Sequence, residues 1–501
     1  MPEHLRALII ILPLASLVFW LARQPLSTLI EQERFIRWRN IWLGLTLVAF
    51  LSYSFWIYTF IVAGVLLLQR SKESNPIALY FFLLFLIPPA PAYISGFGLV
   101  NYLVALDHPR LLALCILLPS MLNLRQSESN ARFGATLADK LLICYSLLTI
   151  AMQFRGMGLT DTLRVAFYTW TDVFLPYYVA SRSLKNLRQF REAMAGFLLA
   201  CMLLAAIGFF EFSRHWLLYS SLVPALDLSW GLAGYLGRAD MLRATATTGQ
   251  AIVLGYVLAT AIGVYLFLQY FIKQRRHQRL GWLLLFAGII SPLSRGPWIG
   301  GVAILTIFLA TGRNALGSIT KMLGVAFLAF SVSAFMPGGE KIINLIPFIG
   351  TTEKANIDYR DKLFDNSLIV IQKNLYLGSV NYLETPEMLE MIQGQGIIDI
   401  VNSYIAIALN YGIVGLGLFL MFFFSILLRT FRIVRSFSDP DDETARLGRA
   451  LLATLSGILI TISTVSSISF IPIIYWAVAG VCVAYARMTD NAKEEMRSVQ
   501  I

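Results

Sequence analysis

The feature that most constrains the fold is a succession of long apolar runs that carry almost no charge. Between Leu280 and Ala310, the only charged side chain is that of Arg295. Over all 501 residues, 57% are hydrophobic and only 14% are charged. A water-soluble protein of this size cannot bury so much apolar surface, whereas ~20 apolar residues suffice to cross a bilayer as a helix. The sequence therefore predicts an all-α, polytopic membrane protein.

The apolar runs predict about 14 transmembrane helices. We expect them at 5–22, 41–68, 77–97, 110–124, 138–154, 164–181, 193–212, 251–272, 280–294, 297–311, 320–336, 402–428, 450–467 and 468–486. Basic residues concentrate in the connections 182–192, 273–279 and 429–449, which places these connections and both termini in the cytoplasm. The segment 23–40 is an exception, because it carries four arginines but falls outside. Either the first helices are miscounted or this segment lies along the membrane surface.

The predicted organisation has four regions. They are a transmembrane helical region at 1–336 with an external segment at 213–250, a large periplasmic loop at 337–401, C-terminal transmembrane helices at 402–486 and a cytoplasmic tail at 487–501. The long loop carries five basic and nine acidic residues, although the whole chain has a net charge of +11. Apolar residues recur at helical spacing within it, from Asp361 to Lys373. We expect this loop to fold over the membrane.

Several classes of function are disfavoured by what the sequence lacks. The chain has four histidines and four cysteines, and all four cysteines fall inside predicted helices. Neither a His-x-x-Glu-His nor a Cys-x-x-Cys motif occurs, and a P-loop and a dinucleotide fingerprint are also missing. We therefore expect no metal and no cofactor. The basic residues lie mostly in orientation-determining loops, so we expect no nucleic acid as a partner.

Arginines at the predicted outer ends of helices are the most unusual polar feature. Arg295 lies in the sequence Ser294-Arg295-Gly296-Pro297-Trp298, between two apolar runs. An arginine at the end of a membrane helix is costly to desolvate, and its planar fork of donors suits phosphate oxygens. The alternative is an arginine that snorkels to a lipid headgroup or interacts with a helix C-terminus.

Two further arginines have comparable alternatives. Arg243 precedes a Thr-rich helix start, where Thr247 and Thr248 offer hydroxyl donors to a phosphate or simply cap the helix. Arg360, in the long loop, either binds a ligand or makes a surface ion pair with Asp358 or Asp361.

Two charged residues lie outside this pattern. We expect Arg238 to be a surface residue. Asp172 lies inside a predicted helix, where an acid is rare, and we expect it either to pair with an arginine or to have a functional role.

Short motifs occur in a recognisable order between about 240 and 420. They are Arg243 to Gly255, Ser294 to Trp298, Tyr359-Arg360, Lys373 to Gly378, Asn402-Ser403-Tyr404 and Asn410 to Gly415. This order resembles the O-antigen ligase and Wzy-type polysaccharide polymerase superfamily. The resemblance implies a glycosyltransferase of the bacterial inner membrane with a GT-C-like fold. Such a protein uses undecaprenyl-pyrophosphate-linked oligosaccharides at the periplasmic face, without a metal or a nucleotide sugar.

The resemblance also implies roles for particular residues. By position, Arg243, Arg295 and Arg360 would grip the pyrophosphate leaving group. The expected substrate-binding residues are Thr247, Thr248, Ser294, Tyr359, Asn402 and Tyr404. Ligases of the superfamily commonly have a histidine immediately before the position of Asn402, but Val401 stands there in this chain. The candidates for a general base, chosen by location alone, are Glu353, Asp358, Glu384 and Asp399.

The missing histidine favours a polymerase over a ligase. The first hypothesis is therefore an enzyme that joins lipid-linked repeat units into exopolysaccharide or O-antigen. The first alternative is an O-antigen ligase that transfers glycan to lipid A core or to protein. The second is a flippase of lipid-linked oligosaccharides, although the sequence shows no internal repeat of the kind that is common in transporters. A polymerase would be expected to work with a flippase and a chain-length regulator.

Overall fold

A computed structural model of the chain describes residues 1–70, 72–98, 100–126, 132–230, 237–238, 241–335, 354–393 and 396–499. In this part of the chain, six helices are long and apolar enough to cross a membrane by length and composition. They are Glu3–Leu26, Leu187–Arg214, Ala251–Phe271, Ser403–Arg435, Glu443–Ile462 and Phe470–Glu494. Sheet is limited to two short antiparallel strand pairs among the described residues. The prediction of an all-α membrane protein is confirmed at this level.

The first half of the chain begins with helices and then forms a hairpin. Its elements are α1 (Glu3–Leu26), α2 (Gln32–Leu51), α3 (Phe55–Arg70), α4 (Pro76–Leu83), β1 (Ala92–Ser95), β2 (Tyr102–Leu106), α5 (His108–Leu112), a π-helical turn (Ala113–Leu117), α6 (Leu118–Gln126), α7 (Leu137–Gln153), α8 (Leu159–Thr169), a second π-helical turn (Trp170–Phe174), α9 (Leu175–Ser183), α10 (Leu187–Arg214) and α11 (Leu222–Ala225).

The second half is also mainly helical. Its elements are β3 (Gly237–Arg238), β4 (Met241–Leu242), a 3₁₀ turn (Ala246–Thr248), α12 (Ala251–Leu268), which continues as a 3₁₀ turn (Gln269–Phe271), α13 (Arg275–Ile290), α14 (Arg295–Ala310), α15 (Ala315–Phe335), α16 (Lys354–Lys373), a 3₁₀ turn (Tyr382–Glu384), α17 (Pro386–Leu389), α18 (Ser403–Arg435), α19 (Glu443–Ile462) and α20 (Phe470–Val499).

The predicted single helix at 41–68 is wrong, because this run contains two helices. α2 ends at Leu51, and α3 begins at Phe55. Between them, Tyr53 adopts a left-handed backbone conformation with φ of 51°, and the Phe55 N–H donates to the Leu226 carbonyl at 3.0 Å. A non-glycine residue in this conformation reverses the chain locally. Uniform hydrophobicity on both sides of the turn concealed it in the sequence.

The extra helix resolves the position of the segment 23–40. The Thr28 hydroxyl donates to the Phe271 carbonyl at 3.3 Å, and Arg34 makes an ion pair with Glu192 at 2.7 Å. This segment therefore lies at the same end of the bundle as the basic connections 182–192 and 273–279. A miscount of the first helices, and not a surface helix on the opposite side, explains the discrepancy.

The N-terminus lies at the other end of the bundle. The Trp216 indole N–H donates to the Glu3 carboxylate at 3.1 Å, and the rings of His4 and Tyr53 meet edge to face at 5.4 Å. Trp216 belongs to the predicted external segment 213–250. The prediction that both termini share the end of the basic loops is therefore wrong for the N-terminus, as a consequence of the same missed turn.

The predicted helix at 77–97 is also shorter than expected. α4 ends at Leu83, and the chain then leaves the helical conformation before β1. Pro88, Pro89 and Pro91 follow within this run, and proline removes a helical N–H and clashes with the preceding turn. The sequence contains these prolines, but the prediction of one long helix relied on the apolar character of the run.

The centre of the bundle is formed by α10 and α12. Almost every residue of α12 is buried, and this helix contacts α10, α13, α14 and α19. Close approaches rely on small residues, since a Cβ added to Gly263 would lie 2.0 Å from the Thr454 hydroxyl oxygen. Gly255 likewise faces Pro297 of α14. These contacts fix the start of α14, where Arg295 is located.

The described part of the long loop is folded, as its helical spacing predicted. α16 and α17 share a small core with the residues that precede and begin α18. Its fully buried members are Leu363, Val370, Met388, Met391, Ile400 and Leu409. Glu353, one of the predicted candidate bases, lies outside the described residues.

Candidate functional site

The connection between α13 and α14 is a tight, hydrogen-bonded turn. Leu293 has a left-handed backbone with φ of 48°, and the Ser294 hydroxyl donates to the Pro292 carbonyl at 3.1 Å. The Ser291 carbonyl accepts from the Ala244 N–H at 3.1 Å. Because Ser291 and Ser294 are buried, this turn is held rigidly at the point where α14 begins with Arg295.

Two arginines from the preceding hairpin converge on this turn. The Arg243 Nε donates to the Pro292 carbonyl at 3.1 Å, and its Nη2 donates to the Ser294 hydroxyl at 2.9 Å. The Arg238 Nη1 donates to the Leu293 carbonyl. Arg238 was expected to be a surface residue, and the structure instead brings it to the same turn. Its proximity to Arg243 in the sequence was the available signal.

Arg360 approaches from the long loop. Its Nη2 makes a long contact of 3.4 Å with the Thr464 carbonyl. Desolvation lowers the pKa of the Arg360 side chain, nearby Asp399 raises it, and the charges of Arg238 and Arg295 lower it further. Arg360 therefore lies within electrostatic range of both arginines.

We refer to Arg238, Arg243, Arg295 and Arg360 as the arginine cluster. The structure brings all three sequence-predicted arginines to it and adds Arg238. The alternative of a surface ion pair for Arg360 is not what the structure shows. Among the described residues, no ion pair joins Arg360 to Asp358 or Asp361.

A buried carboxylate positions the segment that follows Arg243. Glu211, at the end of α10, accepts through Oε2 from the N–H groups of Thr245 and Ala246 at 3.0 and 2.8 Å. Its Oε1 accepts from the Leu218 N–H at 2.9 Å. Ala246 has φ of 46°, a conformation that an alanine adopts only when its surroundings enforce it. Glu211 was not among the predicted site residues, although an acid in the predicted helix 193–212 was a signal.

Among the candidate bases, Asp399 is the one that borders the cluster. Its Oδ1 accepts from the Ser466 hydroxyl at 2.6 Å, and its charge acts on the Arg360 side chain. The Tyr359 hydroxyl bridges the backbone of Asp399, donating to its carbonyl at 3.1 Å and accepting from its N–H at 3.2 Å. Asp358 and Glu384 are exposed, and no contact within the described residues joins either side chain to the cluster.

The remaining predicted binding residues are engaged by the protein itself. Thr247 donates to the Phe85 carbonyl at 2.7 Å, and Thr248 donates to the Thr245 carbonyl at 2.7 Å. Asn402 caps α18 by accepting from the Tyr404 N–H at 2.9 Å, and the Tyr404 hydroxyl donates to a carbonyl of α19 at 2.8 Å. The predicted capping alternative is wrong for Thr247 and Thr248, because the N-cap residue of α12 is Gln250 and both hydroxyls donate to carbonyls. These contacts stabilise the walls of the site instead.

Two of the short motifs meet at a break in α18. Gly412 interrupts the helix with φ of 64°, and the Ile413 N–H donates to the Leu375 carbonyl at 2.8 Å. A Cβ at Gly412 would lie 2.3 Å from the Tyr376 carbonyl oxygen, and one at Gly378 would lie 2.5 Å from the backbone of residues 409–410. The glycine at position 412 therefore allows a left-handed backbone turn against which the loop packs closely.

An apolar cavity adjoins the turn around which the arginine cluster is assembled. It has a volume of about 550 Å³ and lies between α12, α13 and α14. Leu293 and Trp298 border it at the turn, and Ile262 and Leu305 line it farther along the helices. Charged residues are not found among the residues that line it in the described part of the chain. A polar head at the cluster and an apolar tail in this cavity would therefore be adjacent.

The chain matches no protein-family model, and no curated protein matches it. Within the described residues, no group of three or more His, Cys, Asp or Glu side chains is arranged to hold a metal ion. A function must therefore be inferred from the geometry above and from the order of the motifs.

Proposed function

We propose that this protein is a glycosyltransferase of the bacterial inner membrane. It polymerises undecaprenyl-pyrophosphate-linked oligosaccharide repeat units into exopolysaccharide or O-antigen at the periplasmic face. The observation that carries the proposal is the arginine cluster around the start of α14, assembled from three separate parts of the chain. The resemblance in motif order, which includes Arg243, Arg295 and Arg360, supports the same conclusion.

The cluster suits a diphosphate leaving group. When the bond between the anomeric carbon and the diphosphate breaks, negative charge develops on the leaving oxygen. Fixed cations aimed at this charge stabilise the transition state most strongly where water is scarce. The guanidinium groups of Arg238 and Arg243 are held by backbone carbonyls and a hydroxyl, so little reorganisation is needed when the substrate binds.

The apolar cavity suits the lipid part of the same substrate. A polyprenyl chain is uncharged along its whole length, and the cavity of about 550 Å³ has an apolar lining. The cavity begins at Leu293, whose carbonyl accepts from Arg238. A lipid diphosphate would therefore place its two chemically different parts against two matching surfaces. A soluble sugar phosphate would contact only the arginine cluster and would leave the apolar cavity empty.

The proposed reaction requires one bond to form and one to break. The hydroxyl oxygen of the acceptor bonds to the anomeric carbon of the donor sugar, while the bond from that carbon to the diphosphate oxygen breaks. The electron pair leaves with undecaprenyl diphosphate, whose charge the cluster neutralises. The hydroxyl proton passes to a base, for which Asp399 is the best-placed described carboxylate because it lies beside Arg360.

The proposed topology follows from the corrected helix count. We propose two crossings for the run 41–68 and one for each other predicted helix, which gives about 15 crossings. The N-terminus, the external segment 213–250 and the long loop then lie in the periplasm, and the basic connections and the C-terminal tail lie in the cytoplasm. Together with the long periplasmic loop, this arrangement supports the GT-C-like architecture that the resemblance implies.

The decisive experiment supplies the purified protein, in nanodiscs, with the undecaprenyl-pyrophosphate oligosaccharide made by its own gene cluster. A ladder of multiples of the repeat unit on a gel is the expected result. Transfer that appears only after a lipid A core or a protein acceptor is added would instead identify a ligase despite Val401. Movement of the lipid-linked sugar across liposomes, without any transfer, would identify a flippase and overturn the proposal.

A further inference from the structure

A groove lies at the end of the bundle that is opposite to the arginine cluster. α1 and α13 both pack against α10, and the groove runs between them. Its inner part is apolar, has a volume of about 410 Å³ and has Leu198 and Met202 of α10 at its base. Its outer part, of about 560 Å³, continues past the helix ends, and Leu21, His277 and Leu280 border both parts. We call the two together the α1–α13 groove.

The outer part of the groove is cationic. Arg23, in the last turn of α1, and Arg276, in the first turn of α13, line it together with His277. Arg276 is oriented by its Nε, which donates to the Gln274 side chain at 2.8 Å. Trp20 is 72% exposed at the same rim, and exposed tryptophans favour the level of the lipid headgroups. This end of the groove therefore matches the boundary between hydrocarbon and headgroups.

The length of the apolar part corresponds to one leaflet of a bilayer. Along α13, it extends from His277 to Ala287, which is ~15 Å at 1.5 Å per residue. The hydrocarbon core of a bilayer is ~30 Å thick. α1 contributes only residues 18–26, the last third of the helix. A partner helix that crosses the membrane needs a surface along the full thickness, whereas an acyl chain needs half of it.

We propose that the α1–α13 groove binds one anionic phospholipid from the leaflet at this end. Its phosphate lies against Arg23 and Arg276, and one acyl chain occupies the apolar part between the two helices. Basic pockets between membrane helices recognise anionic headgroups by charge, while the apolar walls select for a lipid over a free phosphate. This site does not depend on the proposed transferase activity.

Native mass spectrometry of the full-length protein in a mild detergent tests this proposal. Phosphatidylglycerol and phosphatidylethanolamine are added separately at equal concentrations to the delipidated protein. We expect one phosphatidylglycerol to bind in preference to phosphatidylethanolamine. The double variant Arg23→Gln/Arg276→Gln should lower that affinity roughly 30-fold, because each basic residue near the headgroup contributes about fivefold. Ala287→Phe, which fills the apolar part, should abolish the bound lipid.

Matched controls separate the groove from general attraction to a basic surface. Arg275→Gln/Arg279→Gln removes the same amount of charge, from α13 beside the groove, but changes no residue that lines the groove. Val325→Phe adds the same ring at an exposed position of α15. Both controls should bind phosphatidylglycerol within twofold of the wild type. Any one of three results would overturn the proposal. These are equal binding of the two lipids, an equal loss of binding in the Arg275→Gln/Arg279→Gln control, and unchanged binding in Ala287→Phe. A dimer that Ala287→Phe converts to a monomer would assign the groove to a second copy of this chain instead.

Discussion

The two ends of the helix bundle accommodate arginine in opposite ways. At the end with the basic connections, Arg182 makes an ion pair of 2.8 Å with Asp139, and both side chains are almost completely buried. At the other end, Arg243 donates to a backbone carbonyl and a hydroxyl, and Arg360 lies within electrostatic reach of two other arginines. The first end holds this buried cation against an acid, whereas the second gathers several cations around one turn.

The two arrangements differ in the electrostatic field that they produce. A buried pair with matched charges has little field outside itself, and removing either partner is costly since the other stays buried. Several cations gathered around one turn project a positive potential into the space that they border, and such potentials attract anions. This convergence, more than burial itself, supports the ligand role proposed for the arginine cluster.

The largest effect should come from breaking the matched pair. Asp139→Ala leaves the Arg182 guanidinium buried beside no acid, and we expect the free energy of unfolding to fall by about 3–5 kcal/mol. Thermal unfolding of the purified protein, or the yield of folded protein, measures this loss. The double variant Asp139→Leu/Arg182→Met is the control and should recover most of the stability. A single variant as stable as the wild type would show that this pair contributes little.

Substitutions in the arginine cluster should instead reduce activity and leave stability unchanged. Arg295→Lys and Arg243→Lys keep the charge but lose the planar fork of donors. We expect each to reduce polymer formation by roughly 10²–10³-fold, which is the usual effect of removing one donor to a developing anion. The matched control is Arg275→Lys, at the other end of the bundle, which should retain full activity. Full activity in both cluster variants would exclude the diphosphate role.

The sequence predicted the helices better than the turns between them. Apolar runs located most helical segments because burial in a membrane requires continuous hydrophobicity. The turn at Tyr53 was hidden, since its conformation depends on a contact with Leu226 far along the chain. That single error also inverted the predicted position of the N-terminus. Local hydrophobicity therefore determines where helices lie but not where the chain reverses within a long run.

The sequence also predicted only part of the candidate site, because local patterns do not reveal contacts between distant parts of the chain. Arg243 and Arg295 stand in short motifs and were identified directly, and Asp172 indeed pairs with an arginine, Arg110, at 2.8 Å. Arg238 and Glu211 were missed because their roles arise from contacts with residues more than 30 positions away. No local pattern marks such partners. Glu211 is marked in the sequence only as an acid near the end of a predicted helix, and Arg238 only by its proximity to Arg243.

A substitution at Glu211 should disturb the arginine cluster while leaving its four arginines unchanged. Glu211→Gln keeps the size of the side chain but places an amide NH₂ where an oxygen accepted from backbone N–H groups. We expect the free energy of unfolding to fall by about 1–3 kcal/mol because a buried donor is left unsatisfied. Polymer formation should fall about tenfold, since the segment after Arg243 is no longer fixed. Glu33→Gln, an exposed position of α2, is the control for both measurements. Unchanged activity at reduced stability would limit Glu211 to a purely structural role.

The smallest effect should come from a third arrangement, in which acids outnumber the cation. Arg110 contacts both Asp107 and Asp172, at 3.1 and 2.8 Å. Asp107 lies between β2 and α5, outside the predicted helix 110–124. Burial raises the pKa of Asp107 to about 6, Arg110 opposes the rise, and Asp172 adds to it. A carboxyl whose pKa is raised on folding stabilises the protein when protonated, and this stabilisation is lost as the pH rises through about 6.

Asp107→Asn should therefore stabilise the protein, and increasingly so at higher pH. Asparagine can still accept from the Arg110 N–H, as the Asp107 carboxylate does at 2.9 Å, so the start of α5 stays capped. We expect a gain of about 1 kcal/mol at pH 8 that declines as the pH falls below about 6 and disappears below about pH 4, where Asp107 of the wild type is protonated in both the folded and the unfolded protein. Unfolding of both proteins across this range measures the difference. A variant that is less stable than the wild type at pH 8 would mean that Arg110 needs both acids. The three arrangements would then differ in geometry and not in their balance of charge.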